Sequence, residues 1–449
     1  MVCSVGTWNL CSINRQSVSR LQRLLSRLKP QNALYRSILV LSGGTALAQL
    51  IGICSLPLVT RLYTPAEIGT VSLFLSFFGF WVTGIALRYE QALMIAADDA
   101  ESHVVHRLAT ILVFLMSVLG VPVLWLLQQN HVLEFQLLPV WAPLIAWPIL
   151  LGYGLFMVYR SWALRGGLVS QISQASIVRA GAIAGTKLGL GAFGGGVVAL
   201  FAAELAGALT SMHRLMQATK LHFAASKPLT IGYLQLHQAG LRYAKFPMLD
   251  TPSAWLDALA ATLPLPMVAS LYGAEAAGWF GLARLVLSLP NAQIGAAVAD
   301  VFQMSLAEAV RDKDPQRARS VFYMLLKKLG LIGLVPLVVS LAVLPWAFPI
   351  VFGQSWAPAG TVAASLAPWL YAAFVISPLS RALPVLQAQE WKLFYDVTAL
   401  VLMIGCYFLA SHLALSLVEF CLLVSVAKTL GYVVYTLVLC VLVESRLKN

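Results

Sequence analysis

Charged residues are scarce in this sequence: Asp, Glu, Lys and Arg together make up only 11% of its 449 residues. About a quarter of the residues in soluble domains are charged, so this shortage excludes an ordinary water-soluble enzyme or binding domain. The apolar share is 59% and the mean hydropathy is +0.81, as is typical of a chain that crosses a bilayer many times. The sequence therefore predicts a polytopic membrane protein.

Motifs for metals, nucleotides and secretion are also missing. The six cysteines show neither C-x-x-C nor Cys/His spacing, so we predict no metal site, disulfide or cofactor. The absence of G-x-x-x-x-G-K-[ST] excludes ATP-driven transport by this chain. Residues 1–36 lack a signal-peptide cleavage pattern. Their arginines accompany leucines at helical spacing, which predicts a basic amphipathic segment on anionic lipid or, alternatively, a disordered basic tail.

Apolar runs near twenty residues recur along the rest of the chain, and each is long enough to cross a bilayer as a helix. The fifth run is the weakest, since Arg179 and Lys187 interrupt it. We therefore expect an all-α fold with about twelve transmembrane helices, near residues 38–60, 68–87, 108–127, 137–158, 172–190, 195–212, 247–269, 277–299, 325–349, 359–380, 394–412 and 416–441.

Lys and Arg are distributed unevenly between the connections. If the amino terminus is cytoplasmic, 25 of the 30 lie in cytoplasmic segments, counting Lys327 and Lys328 at the start of the ninth span with the loop before it, and only Arg61 lies in an outer connection. This positive-inside pattern predicts that both termini are cytoplasmic. It also assigns the net charge of +12 to the cytoplasmic face, so nucleic-acid binding is not needed to explain that charge. The other four cations lie within spans: Arg179, Lys187, Arg284 and Lys428.

One passage of the sequence occurs twice. Residues 56–63, LPLVTRLY, return 209 positions later as LPMVASLY, and Gly69 then matches Gly278. Copies nearly half a chain apart predict two structurally equivalent halves. Six spans per half restore the same orientation, so the halves should be parallel and surround a central cavity. The predicted division is a first half at 37–213, a cytoplasmic linker at 214–245, a second half at 246–443 and a cytoplasmic tail at 444–449.

The stretch from Pro57 to Gly69, PLVTRLYTPAEIG, resembles the P-L-x-T-R-L-Y-x-P-x-x-x-G signature of Wzx-type polysaccharide flippases. These belong to the multidrug/oligosaccharidyl-lipid/polysaccharide exporter superfamily. The resemblance runs from about residue 35 to the end of the chain. Three further stretches are similar to the same proteins: Leu87-Arg88-Tyr89-Glu90, residues 283–290, and residues 352–356 followed by Ala359-Gly360.

The resemblance implies a flippase that moves an oligosaccharide linked through pyrophosphate to a polyprenol across the bacterial inner membrane. Two six-helix bundles would alternate between inward-open and outward-open forms while the prenol tail stays in the lipid bilayer. Many relatives couple transport to inward flow of protons or sodium. The sequence names neither the sugar nor the destination polymer, whether O-antigen, capsule or exopolysaccharide. It also leaves open whether a polysaccharide polymerase is a partner.

Cations within spans are the main candidate substrate-binding residues. A charge near the bilayer centre costs about 2.5–3.5 kcal/mol, so these side chains should face a wet cavity or a partner. A pyrophosphate would supply such a partner, and Arg284 is the leading candidate because a guanidinium binds phosphate oxygens in pairs. The alternative for Arg284 is a salt bridge to Asp250 or Asp257. The remaining candidates are Arg179, Lys187, Lys428 and Arg61.

Arg61 also has an alternative role, because it lies at the end of the first span. A cation there would cap the carbonyl groups of the last helical turn and complement the helix dipole.

Acidic residues within spans are the candidate ion-coupling residues. Asp250 and Asp257 are seven residues apart, which places them on one face of the seventh span. Buried carboxylates exchange protons in the working pH range. Glu204 in the sixth span is the third candidate, with the alternative of neutralising Arg179 or Lys187. Five tryptophans near the outer span ends are predicted to form an interfacial aromatic belt: Trp141, Trp147, Trp279, Trp346 and Trp356.

Two other functions fit the composition. A multidrug exporter of the same superfamily would share the fold, but its cavity should carry acids for cationic drugs. An O-antigen polymerase or ligase would need a long outer loop with catalytic residues, and every outer connection here is short. We therefore predict a transporter and no enzymatic activity.

Overall fold

The structure, a computed structural model, describes residues 33–223, 232–290, 296–386, 388 and 390–446. Every regular element among them is a helix. A π-helical turn, Phe246–Asp250, precedes α9, and 3₁₀ turns span Val132–Leu137 and Gln354–Trp356. The α-helices are α1 Ala33–Leu62, α2 Pro65–Thr83, α3 Tyr89–Ala92, α4 Asp99–Gln129, α5 Ala142–Arg165, α6 Val169–Ala192, α7 Gly196–Phe223, α8 Tyr233–Arg242, α9 Thr251–Thr262, α10 Pro264–Pro290, α11 Ala296–Arg311, α12 Pro315–Ala342, α13 Leu344–Phe352, α14 Ala357–Leu379, α15 Ala382–Val385, α16 Glu390–His412 and α17 Leu417–Arg446.

Ten stretches of the described chain are long and apolar enough to cross a membrane. One of them, Phe246–Ser288, covers the seventh predicted span and the eighth as far as Ser288, and Gly273 interrupts the helical conformation between the two with φ +83°. Helix α6 is the fifth predicted span and is too polar to be among the ten. A multi-pass, all-α membrane protein with about twelve spanning helices is therefore confirmed.

Local sequence chemistry sets the corner between the first two spans. Thr64 caps α2 and exchanges hydrogen bonds with Glu67: the Glu67 carboxylate accepts from the Thr64 amide at 2.8 Å, and the Thr64 hydroxyl accepts from the Glu67 amide at 3.3 Å. Pro65 follows at the first helical position, where an N–H would have no helical partner. At the matching place in the second half, Gly273 turns the chain in a left-handed conformation that glycine tolerates. The same corner is thus built by two different local devices.

The two halves pack mainly within themselves. In the first half α1 packs along α6, α6 along α7, and α5 against α4 and α7. In the second half α14 packs on α12, α13 and α17. The main contact between the halves is made by α2, which lies along α9 and α10. We call this contact the seam.

Gly69 and Gly278 lie where α2 crosses α10. A Cβ atom at Gly69 would collide with the backbone oxygen of Ala274, and one at Gly278 would collide with the backbone oxygen of Pro65. The two helices therefore touch backbone to backbone, as small residues allow in membranes. The matching glycines of the internal repeat face each other across the seam, at the end that the sequence predicts to be outside.

Trp356 closes the same end of the seam. Its side chain is fully buried, and its indole N–H donates to the backbone oxygen of Thr60 in the first half at 2.9 Å. The prediction that Trp356 belongs to an interfacial belt is therefore wrong. Trp346, by contrast, is 77% exposed.

The predicted domain boundaries stay predictions. Most of the amino-terminal segment 1–36 lies outside the described residues. Within the predicted linker 214–245, α7 continues to Phe223 and α8 occupies Tyr233–Arg242. Helix α8 packs on α4, and the guanidinium of Arg242 lies 2.7 Å from the carboxylate of Glu101.

Candidate functional site

A cavity of about 340 Å³ lies at the seam, between α2, α9 and α10. Among the described residues that line it, Arg284 from α10 is the one charged group. Four hydroxyl side chains share the lining, and they come from both halves: Ser72, Ser76, Thr262 and Ser288. The eighth span thus presents its arginine to a cavity with several hydroxyl groups.

The hydroxyl groups of this cavity are oriented by their own helices. Ser76 donates to the backbone oxygen of Leu73 at 2.6 Å, and Thr262 donates to that of Ala258 at 2.8 Å. With their hydrogens engaged, these oxygens remain available as acceptors. The cavity therefore offers one strong cation and several acceptors, which suits a ligand that carries both negative charge and hydroxyl groups.

Arg284 makes no hydrogen bond or ion pair with any residue that the structure describes. The alternative of a salt bridge to Asp257 is wrong, because Asp257 binds Lys392 instead. Asp250 is exposed and makes no ion pair with Arg284 either. A guanidinium carries five N–H donors, so an anion that enters the cavity finds the whole fork available.

A lysine outside the predicted site connects two acids in the second half. The Lys392 ammonium lies 2.8 Å from the Asp257 carboxylate on α9 and 2.6 Å from that of Asp396, one turn further along α16. The (i, i+4) spacing of Lys392 and Asp396 is visible in the sequence. Apolar length alone places Lys392 in a cytoplasmic connection, whereas α16 already begins at Glu390.

Asp250 and Asp257 have different surroundings, although the sequence predicts one helical face for both. Asp250 ends the π-helical turn that precedes α9, and it is exposed. Asp257 lies in the regular part of α9 and is held by Lys392. Of these two acids, only Asp257 is paired with a cation of the described residues.

In the first half, Glu204 on α7 binds Lys187 on α6 with 3.0 Å between carboxylate and ammonium. Both side chains are mostly buried, so water screens this pair little. Arg179 is not part of it. Its guanidinium carbon lies 4.2 Å from the ring centroid of Tyr153, a cation–π contact, and its buried Nε finds no hydrogen-bond partner among the described residues.

Lys428 and Arg61 lie in contrasting environments. Lys428 is buried within α17, and its ammonium lies 5.9 Å from the ring centroid of Trp369. Arg61 is exposed in the last turn of α1, where the helix dipole favours a cation. The structure therefore brings Arg284 to the seam, places Lys428 inside the second half, and leaves Arg61 at a helix end.

One buried acid, in the segment that follows α2, is not among the predicted site residues. The backbone turns sharply at Leu87 and Arg88, both at positive φ, and places Glu90 where it is only 6% exposed. The Oε2 atom of Glu90 has no hydrogen-bond partner among the described residues. Burial raises the pKa of Glu90, and the nearby charge of Asp250 adds to this rise, although Arg88 opposes it.

The sequence matches the model of a family described as polysaccharide biosynthesis protein over residues 58–361. This match covers well over half of the chain and includes all three helices of the seam. The chain belongs to this polysaccharide biosynthesis family. The match begins within the signature, at Leu58, and it confirms the resemblance found in the sequence. No curated protein matches the sequence of this family member.

Solved transporter structures share the fold of this family member. One is the inward-facing conformation of a multidrug resistance MATE family transporter of the MOP superfamily, with a TM-score of 0.66 at 13% identity over 91% of this chain and 95% of that chain. Another is a MOP superfamily transporter from Pyrococcus furiosus Vc1, with a TM-score of 0.56 at 14% identity over 92% and 96% of the two chains. At these identities the likeness establishes the fold, and the predicted all-α transporter fold is confirmed.

Proposed function

We propose that this protein is a flippase for polyprenyl-pyrophosphate-linked oligosaccharides, acting in surface polysaccharide assembly at the bacterial inner membrane. The observation that carries the proposal is the seam cavity, in which an arginine without a partner among the described residues is surrounded by hydroxyl acceptors. A sugar pyrophosphate has the complementary groups, since its phosphate oxygens accept from the guanidinium and its hydroxyls donate to serine and threonine oxygens. Membership in the polysaccharide biosynthesis family supports the same class of cargo.

Arg284 binds the pyrophosphate in this proposal. Arg179 and Lys187 line the route in the first half, Lys428 does so in the second, and Arg61 receives the head group at the outer end. Arg179, Arg284 and Lys428 form no ion pair among the described residues, so the cargo supplies their negative charge during passage, whereas Lys187 is bound to Glu204. Contacts of this kind are made and released with the cargo, which suits transport better than permanent ion pairing.

Alternating access moves the cargo from the cytoplasmic to the outer leaflet. At the predicted outer end, the backbone contact of Gly69 with Gly278 and the bond from Trp356 to Thr60 hold the halves together. Opening that end requires both contacts to separate while the halves rock about the seam.

An inward flow of protons or sodium drives the cycle through three acids: Asp250, Asp257 and Glu204. Two of them are bound to lysines in the described structure. Protonation of Glu204 would free Lys187, and protonation of Asp257 would leave Lys392 with Asp396 alone. An incoming proton thus makes positive charge available to the cargo.

The same pairs argue against the second candidate, an exporter of cationic drugs. Such a drug would need a carboxylate without a cation beside it in the transport route, and no acid is among the described residues that line the seam cavity. Lys187 and Lys392 already neutralise Glu204 and Asp257, so these two acids offer little to a cationic ligand.

The decisive experiment uses a deletion strain. We expect complete polyprenyl-pyrophosphate oligosaccharide units to accumulate on the cytoplasmic side, with loss of surface polysaccharide, and both effects to be reversed by this chain. Carrier lipids are extracted and analysed by mass spectrometry. Unchanged lipid pools with altered drug susceptibility would replace the proposal with drug export. Units that cross but remain short would indicate a role in polymerisation instead.

Arg284 variants test the site itself. Arg284→Ala should abolish export while membrane abundance stays normal, because the arginine holds no protein partner among the described residues. Arg284→Lys should also impair export, since an ammonium cannot bind two phosphate oxygens in the fork geometry. The matched control is Arg311→Ala, an exposed arginine at the end of α11. Surface polysaccharide and protein level are measured in the same cells, and normal export by Arg284→Ala would contradict the assignment.

A further inference from the structure

A second cavity, of about 350 Å³, runs between α16 and α17 in the second half. We call it the α16–α17 groove. Its lining includes large apolar side chains that are open to the surroundings: Phe394, Leu402, Leu430 and Val434 are each between 44% and 66% exposed. In a membrane-spanning helix such side chains face hydrocarbon. The groove therefore opens to the bilayer.

Small residues create this groove. Ala399 on α16 and Ala427 and Gly431 on α17 are part of its lining, so side chains do not fill the space between the helices. A Cβ atom at Gly431 would lie 3.6 Å from the ring of Tyr395, an ordinary contact distance. A larger side chain at position 431 would thus occupy the groove without forcing the helices apart.

Lys428 gives the groove a charged inner wall. It lines the groove, it is only 9% exposed, and it has no ion pair or hydrogen bond with any residue that the structure describes. Its ammonium lies 5.9 Å from the ring centroid of Trp369, a distant aromatic neighbour. The nearby Asp396 attracts Lys428 but is itself bound to Lys392 at 2.6 Å, and Arg284 acts on Lys428 as a second positive charge. A buried ammonium near a like charge is costly unless an anion joins them.

We propose that the α16–α17 groove binds the prenyl chain of the phosphate-linked carrier lipid, with the carrier's first phosphate on Lys428. The inference rests on the proposed function and adds the place where the hydrocarbon part of the cargo is held. The apolar lining matches the isoprenoid chain, and Lys428 matches the phosphate at its end. Arg284, which lines the seam cavity, acts electrostatically on Lys428, so a phosphate on Lys428 would also be attracted by Arg284.

Photo-crosslinking tests this assignment. Purified full-length protein in phosphatidylcholine nanodiscs is exposed to a diazirine-bearing geranylgeranyl phosphate, and the labelled peptides are mapped by mass spectrometry. We expect adducts on peptides from residues 390–446. Lys428→Met should lower the labelling about tenfold. The corresponding prenol without phosphate should label the wild type as weakly as the phosphate probe labels Lys428→Met. Lys428→Arg should retain the labelling.

A matched pair of glycine variants tests the groove separately from the charge. Gly431→Leu fills the groove and should abolish the adducts, whereas Gly405→Leu, at an exposed glycine of α16 with open space around it, should leave them unchanged. Adducts that map elsewhere, equal labelling of Lys428→Met, or equal competition by phosphatidylglycerol would overturn the assignment, the last by showing a general lipid groove.

The same variants are compared for surface polysaccharide in the deletion strain. If the wild-type chain restores export while the adducts map elsewhere, only the groove assignment fails. If the wild-type chain restores nothing and lipid-linked units do not accumulate in its absence, the flippase proposal fails whatever the crosslinks show.

Discussion

The two halves of the molecule share a scaffold but differ in their charges. Tyr63 and Tyr272 occupy matching positions, and each donates a hydrogen bond to a backbone oxygen late in its own half. Tyr63 donates to Lys187 at 2.7 Å, and Tyr272 donates to Leu415 at 2.9 Å. The matching tyrosines therefore play the same role in joining helices in both halves.

The charged side chains follow no such rule. At the offset of the repeat, Arg284 matches Leu75 and Asp257 matches Ala48. The repeated positions thus make contacts between helices, which do not depend on the cargo. The charges that are not repeated lie in cavities or pair with one another. Charged residues that occur in only one half can therefore line a cavity without disturbing the helix contacts that the two halves share.

The largest expected effect comes from breaking the shared scaffold at the seam. Gly69→Ala places a methyl group against the backbone of Ala274, and neither helix can yield without moving its half. We expect a loss of about 3 kcal/mol or more in stability, at the upper end of overpacking effects. Thermal melting in detergent and membrane abundance are measured, with Gly185→Ala, where a Cβ meets open space, as the control. Wild-type melting of Gly69→Ala would show that the helices separate freely.

A smaller effect is expected from the charge pair of the first half, which the second half does not repeat. Lys187→Met leaves Glu204 without its cation, and Glu204→Gln leaves the lysine without its anion. Each single change should cost about 2 kcal/mol, less than for a fully buried pair because 21% of the lysine side chain is exposed. The double change should cost less than the sum, because it leaves neither charge unpaired. Melting of all four proteins completes the cycle, and strict additivity would mean that the two groups do not interact.

The smallest effect concerns Glu90, whose matching position in the second half is Ala299. Burial raises the pKa of Glu90, so its contribution to stability is full below the pKa of the unfolded state and is lost as the pH rises through the pKa of the folded state. At neutral pH the free energy of unfolding of Glu90→Gln should therefore exceed that of wild type by on the order of 1 kcal/mol. At acid pH the two proteins should be equally stable. Melting is followed between about pH 4 and pH 8.

Glu390→Gln, which removes an exposed carboxylate, is measured in the same pH series as the control for the loss of one negative charge. A constant gap between Glu90→Gln and wild type across the series would mean that Glu90 does not titrate in this range.

The spanning helices could be predicted because hydrophobic length is a local property of the sequence. The apolar run at 172–190 predicts the fifth span although Arg179 and Lys187 interrupt it, and the structure forms a helix there. The contact of Gly69 with Gly278 could not be derived, although their equivalence could. A repeat shows that two positions correspond, but it does not show that they touch.

The site was predicted less completely, for a physical reason. Charge partners depend on which helix faces are adjacent, and the sequence does not give that adjacency. Arg284 was identified from its position in a span, but its alternative partner Asp257 binds Lys392 across α9 and α16. The frequency of tryptophan at membrane interfaces predicts an interfacial position for Trp356, whereas tertiary packing buries it against Thr60.

The crossing of α2 and α10 has a consequence for how the chain can change over evolutionary time. Each glycine is required by the backbone of the other copy, so neither copy can acquire a side chain there independently. Away from the seam, most helices pack within their own half and can diverge independently. The passage still legible as a duplication, residues 56–73 and 265–282, is therefore the passage where the two copies meet.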